Sequence, residues 1–170
     1  MKSFQQTPSE MLQLPDFLEE DIENVRRVVK FLNEKDVEVD FEVHAKAETC
    51  EESAENSPVE LSQVTKTLVF ISDEPFAVLC PGDVSVEVSK LEEHLGEEIR
   101  MANPDEVKEA SGYPIGAVSP FDLDIPVFME ESLMENEEIR PAAGSRAVGA
   151  VIAPEAVRDV SDAEVGDFSR

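Results

Sequence analysis

Apolar positions recur at helical spacing early in the chain. Ile22, Val25, Val28, Val29 and Leu32 line one face, which predicts a helix that starts near Asp16 and ends over residues 33–36. The period then changes. Val37, Val39, Phe41 and Val43 alternate with Glu38, Asp40 and Glu42, the pattern of a half-buried strand. Thr49 with Glu52 three positions later has capping-box spacing and predicts a short helix through Asn56. Residues 63–71 (QVTKTLVFI) are β-branched and apolar, a central strand. A turn over 72–75 leads into a second strand, 76–80, which Pro81 and Gly82 stop. Val88, Leu91 and Leu95 predict a helix closing at Gly96. Asn103 caps another, with Pro104 at its first position and Gly112 at its end. An irregular segment, 112–120, follows. Short strands are predicted at 126–128, 139–140 and 147–152, then a last helical turn at 154–158. Residues 1–15 read as a loosely docked lead-in, 16–158 as one domain, and 159–170 as a frayed tail. The class is mixed α/β (α+β), with more strand than a doubly wound βαβ series needs.

Charge changes this picture more than length does. In 170 residues, 39 Asp and Glu oppose 14 Lys and Arg, a net charge of −25 at pH 7. The acidic runs are spread along the chain and broken by apolar residues, so they read as a solvated surface. None has the loop pattern of a calcium site. Such a surface suits very high salt: self-repulsion destabilises the compact state in dilute buffer, and ~1 M salt shortens the Debye length to ~3 Å. A halophile-type protein is expected. No basic groove for DNA or generic RNA binding is visible. No apolar run approaches the ~20 residues of a membrane span, and no secretory signal pattern is visible. Two cysteines, Cys50 and Cys80, make neither a disulfide scaffold nor a zinc cage. A reduced, cytoplasmic protein is expected.

Familiar catalytic patterns are missing. His44 and His94 are the only histidines and have no metal spacing; no G-x-S-x-G, P-loop or G-x-G-x-x-G occurs. No metal or cofactor is expected. Lys66 is the first anomaly, a cation inside an apolar strand that must snorkel, pair or face a cavity. The second is the segment 112–120 (GYPIGAVSP). Gly112 and Gly116 allow positive φ or close approach, and Pro114 and Pro120 stiffen the path. Such a loop is either a packed turn or a presenter of backbone N–H groups to an oxyanion. Residues 141–145 (PAAGS) are either a tight turn or one wall of a pocket.

Taken in order, these pieces resemble the YbaK/prolyl-tRNA-synthetase-associated domain family. The resemblance runs through TCEESA (49–54), QVTKTLVF (63–70), VLCPGD (78–83), SGYPIGAVSPF (111–121), VFMEESL (127–133) and AAGS (142–145), and spans residues 24–158. It implies a compact domain on a mixed, barrel-like curved sheet flanked by helices. It implies hydrolysis of the ester joining a wrong, small amino acid to a tRNA 3′ end, with the tRNA as partner and a synthetase as a further one. By the resemblance, Lys66 holds the terminal adenosine or its phosphate, with Thr67 beside it. Gly116, Ala117 and Pro120 would form the catalytic loop, with amides aimed at the aminoacyl carbonyl. Val118, Ser119, Glu130, Gly144 and Ser145 would line the substrate pocket. A hydroxyl of the tRNA's own terminal ribose would assist, so no catalytic His or Cys is required. Three positions depart from the family pattern: Ala117 replaces a common second glycine, Glu130 a common aspartate, and Gly149 a pocket side chain of some relatives. A non-catalytic module that binds the tRNA end on the same fold is the alternative.

The charge makes a prediction independent of any site. Raising KCl from ~0.1 to ~2 M should raise the thermal midpoint and the urea midpoint together, because screening removes self-repulsion. A midpoint that does not move with salt would remove the halophile-type expectation.

Overall fold

A computed structural model describes residues 19–43 and 60–170. The expected lead-in at 1–15, the capped helix after Thr49, His44 and Cys50 lie outside the described residues. Among the described residues, four helices and eight strands follow one another: α1 (Glu19–Glu34), β1 (Asp40–Val43), β2 (Val64–Ile71), β3 (Pro75–Pro81), α2 (Val88–Leu95), β4 (Arg100–Met101), α3 (Pro104–Ser111), β5 (Val127–Glu130), β6 (Arg140–Ser145), β7 (Val148–Val151), α4 (Pro154–Ser161) and β8 (Glu164–Gly166). A 3-10 turn, Glu131–Glu135, follows β5. The strands form one mixed sheet in the order β1-β7-β6-β2-β3-β5-β8, with β4 also paired to β2. The β1–β7, β6–β7, β2–β3 and β2–β4 pairs are antiparallel; β2–β6, β3–β5 and β5–β8 are parallel.

The helices form where their end signals stand. Around α3, the Asn103 side chain accepts from the Glu106 amide while the Glu106 carboxylate accepts from the Asn103 amide; Gly112 closes the helix at φ 81. Val25, Val28, Val29 and Leu32 of α1 all enter the main core, as the spacing requires. That core also takes Val69, Leu79, Met129, Tyr113, Val118 and Phe121. A smaller cluster on the other side of the sheet joins Phe70, Phe76, Val78, Leu91, Phe128 and Phe168. Strand alternation sorts the two: on β2, Val69 and Ile71 face the main core, Leu68 and Phe70 the smaller one.

Three local expectations change. Residues 141–145 are strand, not turn: β6 pairs with β7 and packs on α1, although its small residues have little strand propensity. The strand expected from Val37 begins at Asp40, because the Val37 amide still donates to the Leu32 carbonyl at the end of α1. Residues 159–170 are not a frayed tail. β8 pairs with β5, Phe168 is 2% exposed, the Glu87 amide donates to the Phe168 carbonyl (2.8 Å) and the Arg170 amide to the Ser85 carbonyl (3.2 Å). Lys90 Nζ reaches Asp167 Oδ1 at 2.9 Å and the Ser169 carbonyl at 2.6 Å. These contacts bind the chain end over the segment 84–90.

Glu130 anchors the same region. It is 1% exposed. Its Oε2 accepts from the Ser132 amide (2.8 Å) and hydroxyl, and its Oε1 from the Phe168 amide (3.0 Å). Burial works to raise its pKa, but the Ser132, Phe168 and Ser169 donors outweigh it and hold the carboxyl below the usual carboxylate range. A depressed folded pKa stabilises the fold above the ordinary carboxylate value, and that share is lost as pH falls through the folded value. Glu130→Gln should therefore cost roughly 1.5–3 kcal/mol at pH 7, the range for hydrogen bonds to a charged group. The gap from the parent should narrow as pH drops below the ordinary carboxylate range. Urea unfolding at a series of pH values tests this; a gap that is constant with pH would contradict it.

Candidate active site

β2 and β6 run parallel and share only two register pairs, Val64 with Arg140 and Thr65 with Pro141. Beyond them the strands part. β6 continues through a bulge between Ala142 and Ser145 to pair with β7. β2 runs on without a strand on that edge until β4 meets it at Phe70, among the described residues. Lys66 and Thr67 stand at the vertex of this opening. Alternation turns them apart, Thr67 to the main-core side and Lys66 to the side of the smaller cluster. The Thr67 hydroxyl oxygen is buried with no hydrogen-bond partner among the described residues. Lys66 Nζ donates to the Val84 carbonyl at 2.7 Å, and its Cα partner on β3 is Cys80. The half-buried lysine thus rests on the 82–87 segment that the chain end holds in place.

The loop from Gly112 to Phe121 is tied at its base. The Tyr113 hydroxyl donates to the Phe121 carbonyl at 2.7 Å, and the Tyr113 side chain is fully buried. Burial pushes its pKa up; the Arg27 guanidinium, 4.2 Å from the ring centroid, pulls against that shift. Arg27 also donates to the Ser111 carbonyl (3.1 Å) and to Asp122 Oδ2 (2.8 Å). From α4, the Ser161 hydroxyl donates to the Pro120 carbonyl at 3.1 Å. Within the loop, the Ala117 amide donates to the Pro114 carbonyl at 3.0 Å, closing a turn with Gly116 at φ 85. The next two residues differ. Val118 is 5% exposed and Ser119 0%, yet neither backbone N–H has an acceptor among the described residues.

The expected site residues therefore sort by position. Val118, Ser119 and Pro120 lie together in the loop, and the free donors are the Val118 and Ser119 amides. The Ala117 amide, expected to face the substrate, is consumed by its own turn. Gly144 (φ 94) serves close packing: a Cβ there would stand 2.6 Å from the Asn24 carbonyl carbon of α1. The Ser145 hydroxyl accepts from the Ala147 amide at 3.1 Å, and Ser145 is 1% exposed. Glu130 spends its oxygens on Ser132 and Phe168, so it holds the fold and does not present a carboxylate to a ligand. One residue that the sequence did not single out reaches the loop: Arg146 Nη2 donates to the Ile115 carbonyl at 2.9 Å. Among the described residues, no group of three or more His, Cys, Asp or Glu side chains could hold a metal ion, and no helix is long and apolar enough to cross a membrane.

Two buried amides without acceptors can stabilise an oxygen that gains negative charge; one such donor is typically worth ~2.7–4 kcal/mol in a transition state. Their position depends on the base of the loop. Tyr113→Phe should lower stability by about 1–3 kcal/mol, because the Phe121 carbonyl is left buried without its donor. Urea denaturation in high salt measures this, and a variant as stable as the parent would show that the loop base does not depend on the Tyr113 bond.

Known proteins resemble this chain in sequence and in fold. The profile of the aminoacyl-tRNA editing domain family matches residues 44–160. YwhH of Bacillus subtilis (strain 168), a protein of uncharacterised role, is 32% identical over 128 residues, covering 73% of this chain and 82% of that protein. EbsC of Enterococcus faecalis (strain ATCC 700802 / V583), named as a candidate Cys-tRNA(Pro)/Cys-tRNA(Cys) deacylase, is 24% identical over 126 residues, covering 71% and 77%. A crystal structure described as a candidate trans-editing enzyme for prolyl tRNA synthetase superposes with a TM-score of 0.79 at 27% identity, over 86% of this chain and 97% of that one. With the family profile matched over most of its length and the fold shared with such proteins, the chain belongs to the aminoacyl-tRNA editing domain family.

Proposed function

We propose that this protein is a trans-editing aminoacyl-tRNA deacylase that hydrolyses the ester of a tRNA mischarged with a small amino acid. The observation that carries the reading is the pair of buried Val118 and Ser119 amides without acceptors among the described residues, in a loop that Arg146 ties to the end of β6. An aminoacyl ester is already activated, so water can attack its carbonyl carbon directly. The carbonyl oxygen gains charge and accepts from the two amides. The bond to the ribose oxygen then breaks, and that oxygen takes a proton; the products are the free amino acid and the tRNA 3′ end. No side-chain nucleophile is needed for this step.

Lys66 supplies the cation. At the vertex of the opening it rests on a single carbonyl, which a substrate phosphate can replace with a stronger, charge-assisted contact. Gly116 and Pro120 shape the loop, Ala117 closes its turn, and Thr67 offers its unpartnered hydroxyl to the substrate. Gly144 and Ser145 form the wall where β6 leaves β2, with Glu130 supporting the site from beneath. Selection is steric, since one methylene is worth only ~1–3 kcal/mol in an apolar pocket. The tRNA is the partner, and a synthetase that releases mischarged tRNA is a second one; the cytoplasm is where both would be met. Molar salt screens repulsion between the acidic surface and the tRNA, leaving recognition to short contacts at the 3′ end.

The test is hydrolysis of tRNAs carrying alanine, serine or cysteine, in ~2 M KCl, by the parent and by Lys66→Ala. The expected result is turnover of one of these esters and a fall of about tenfold to a hundredfold in the variant, the equivalent of a charged hydrogen bond of ~1.5–3 kcal/mol. Unchanged turnover in the folded variant would remove Lys66 from the site. Binding of the tRNA end without turnover would instead make the protein a non-catalytic module of the same fold.

A further inference from the structure

We infer that Arg146 is the positioning residue of this site: it clamps the turn at 114–117 and so fixes the two amides that follow. The inference rests on the deacylase reading above. Three observations on different atoms carry it. Arg146 Nη2 donates to the Ile115 carbonyl at 2.9 Å. The guanidinium also lies against Gly116, where an added Cβ would stand 2.8 Å from both Nε and Nη2 and 3.1 Å from Cζ. Gly116 therefore answers two demands at once, the positive φ of the turn and the space the guanidinium takes. Finally, the Ser145 hydroxyl accepts from the Ala147 amide and fixes the backbone on both sides of Arg146, in the two-residue connection between β6 and β7.

Among the described residues, the tip of the loop has little else to hold it. Ile115 is 44% exposed, and Tyr113, Arg27 and Ser161 act at or near the base. Val118 begins directly after the clamped turn, so a shift of the turn moves its N–H and that of Ser119. A planar guanidinium can lie on a glycine and donate in its own plane to the neighbouring carbonyl; an ammonium cannot do both. Arg146 thus also joins the loop to the end of β6.

The experiment compares the parent with Arg146→Ala and Arg146→Lys in ~2 M KCl, by two readouts. Deacylation kinetics should show kcat down by about tenfold to a hundredfold in both variants with KM nearly unchanged, the pattern of a misplaced but unaltered catalytic group. Added guanidinium ion should restore part of the Arg146→Ala loss and none of the Arg146→Lys loss. Independently of any substrate, amide hydrogen exchange at Val118 and Ser119 should quicken in both variants while exchange in β2 and β3 stays at the parent's rate. A rise in KM with kcat kept would overturn the inference, making Arg146 a substrate contact. Unchanged exchange at the two amides would overturn it as well. If the parent turns over no ester, the deacylase reading fails, while the exchange comparison still decides whether Arg146 holds the turn.

Discussion

The parting of β2 from β6 is the constraint on which the rest of the molecule depends. Two parallel strands that begin paired at Thr65 and Pro141 would ordinarily continue so. Here α1 lies on β6 so closely that Gly144 has no room for a side chain, its Cβ position falling 2.6–2.9 Å from the Asn24 and Val25 backbone. β6 is thus held to α1 and to β7, bulges, and leaves an edge of β2 open. Opened parallel strands are a recurrent place for ligands in α/β sheets, because backbone and side chains converge there without filling the space. Lys66 and Thr67 stand at that opening as a result of register, and Arg146, just after β6, reaches the loop 112–121.

That loop is pre-organised by contacts from three directions. Tyr113 and Arg27 secure the base, Ser161 holds Pro120, and Arg146 reaches the tip. Amides fixed in advance need no reorganisation when charge develops beside them, which is what makes preorganised donors effective. The chain end plays a matching part on the other face. β8 and Phe168 fasten to Glu130 and to the 84–90 segment, on whose Val84 carbonyl Lys66 rests. Both halves of the site are therefore supported by segments remote in sequence.

Much of this was legible in the residues, for identifiable reasons. The period of α1 and the β-branched run of β2 express burial directly, and the Asn103, Pro104 and Gly112 signals bound α3. Lys66 and the glycine–proline loop stood out because each breaks a local rule. Other parts have no local signature. β4 is two residues long and exists as a partner for the end of β2; β8 (EVG) exists because β5 offers an edge. β6 is strand by tertiary pairing against its own small-residue preference. Arg146 is one cation in a hairpin connection, and nothing in its neighbours distinguishes it until the fold lays it on Gly116. The internal bonds of Ala117 and Glu130 are likewise invisible before the turn and the chain end are in place.

In the proposed reaction the Val118 and Ser119 amides receive the carbonyl oxygen of the substrate. The most direct test is amide NMR in molar KCl, titrating the protein with a non-hydrolysable 3′-aminoacyl-amide analogue of the tRNA terminal adenosine. The Val118 and Ser119 amide protons should shift downfield together as the analogue saturates, the signature of new hydrogen bonds. Saturation with both resonances unmoved, while amides elsewhere respond, would contradict it.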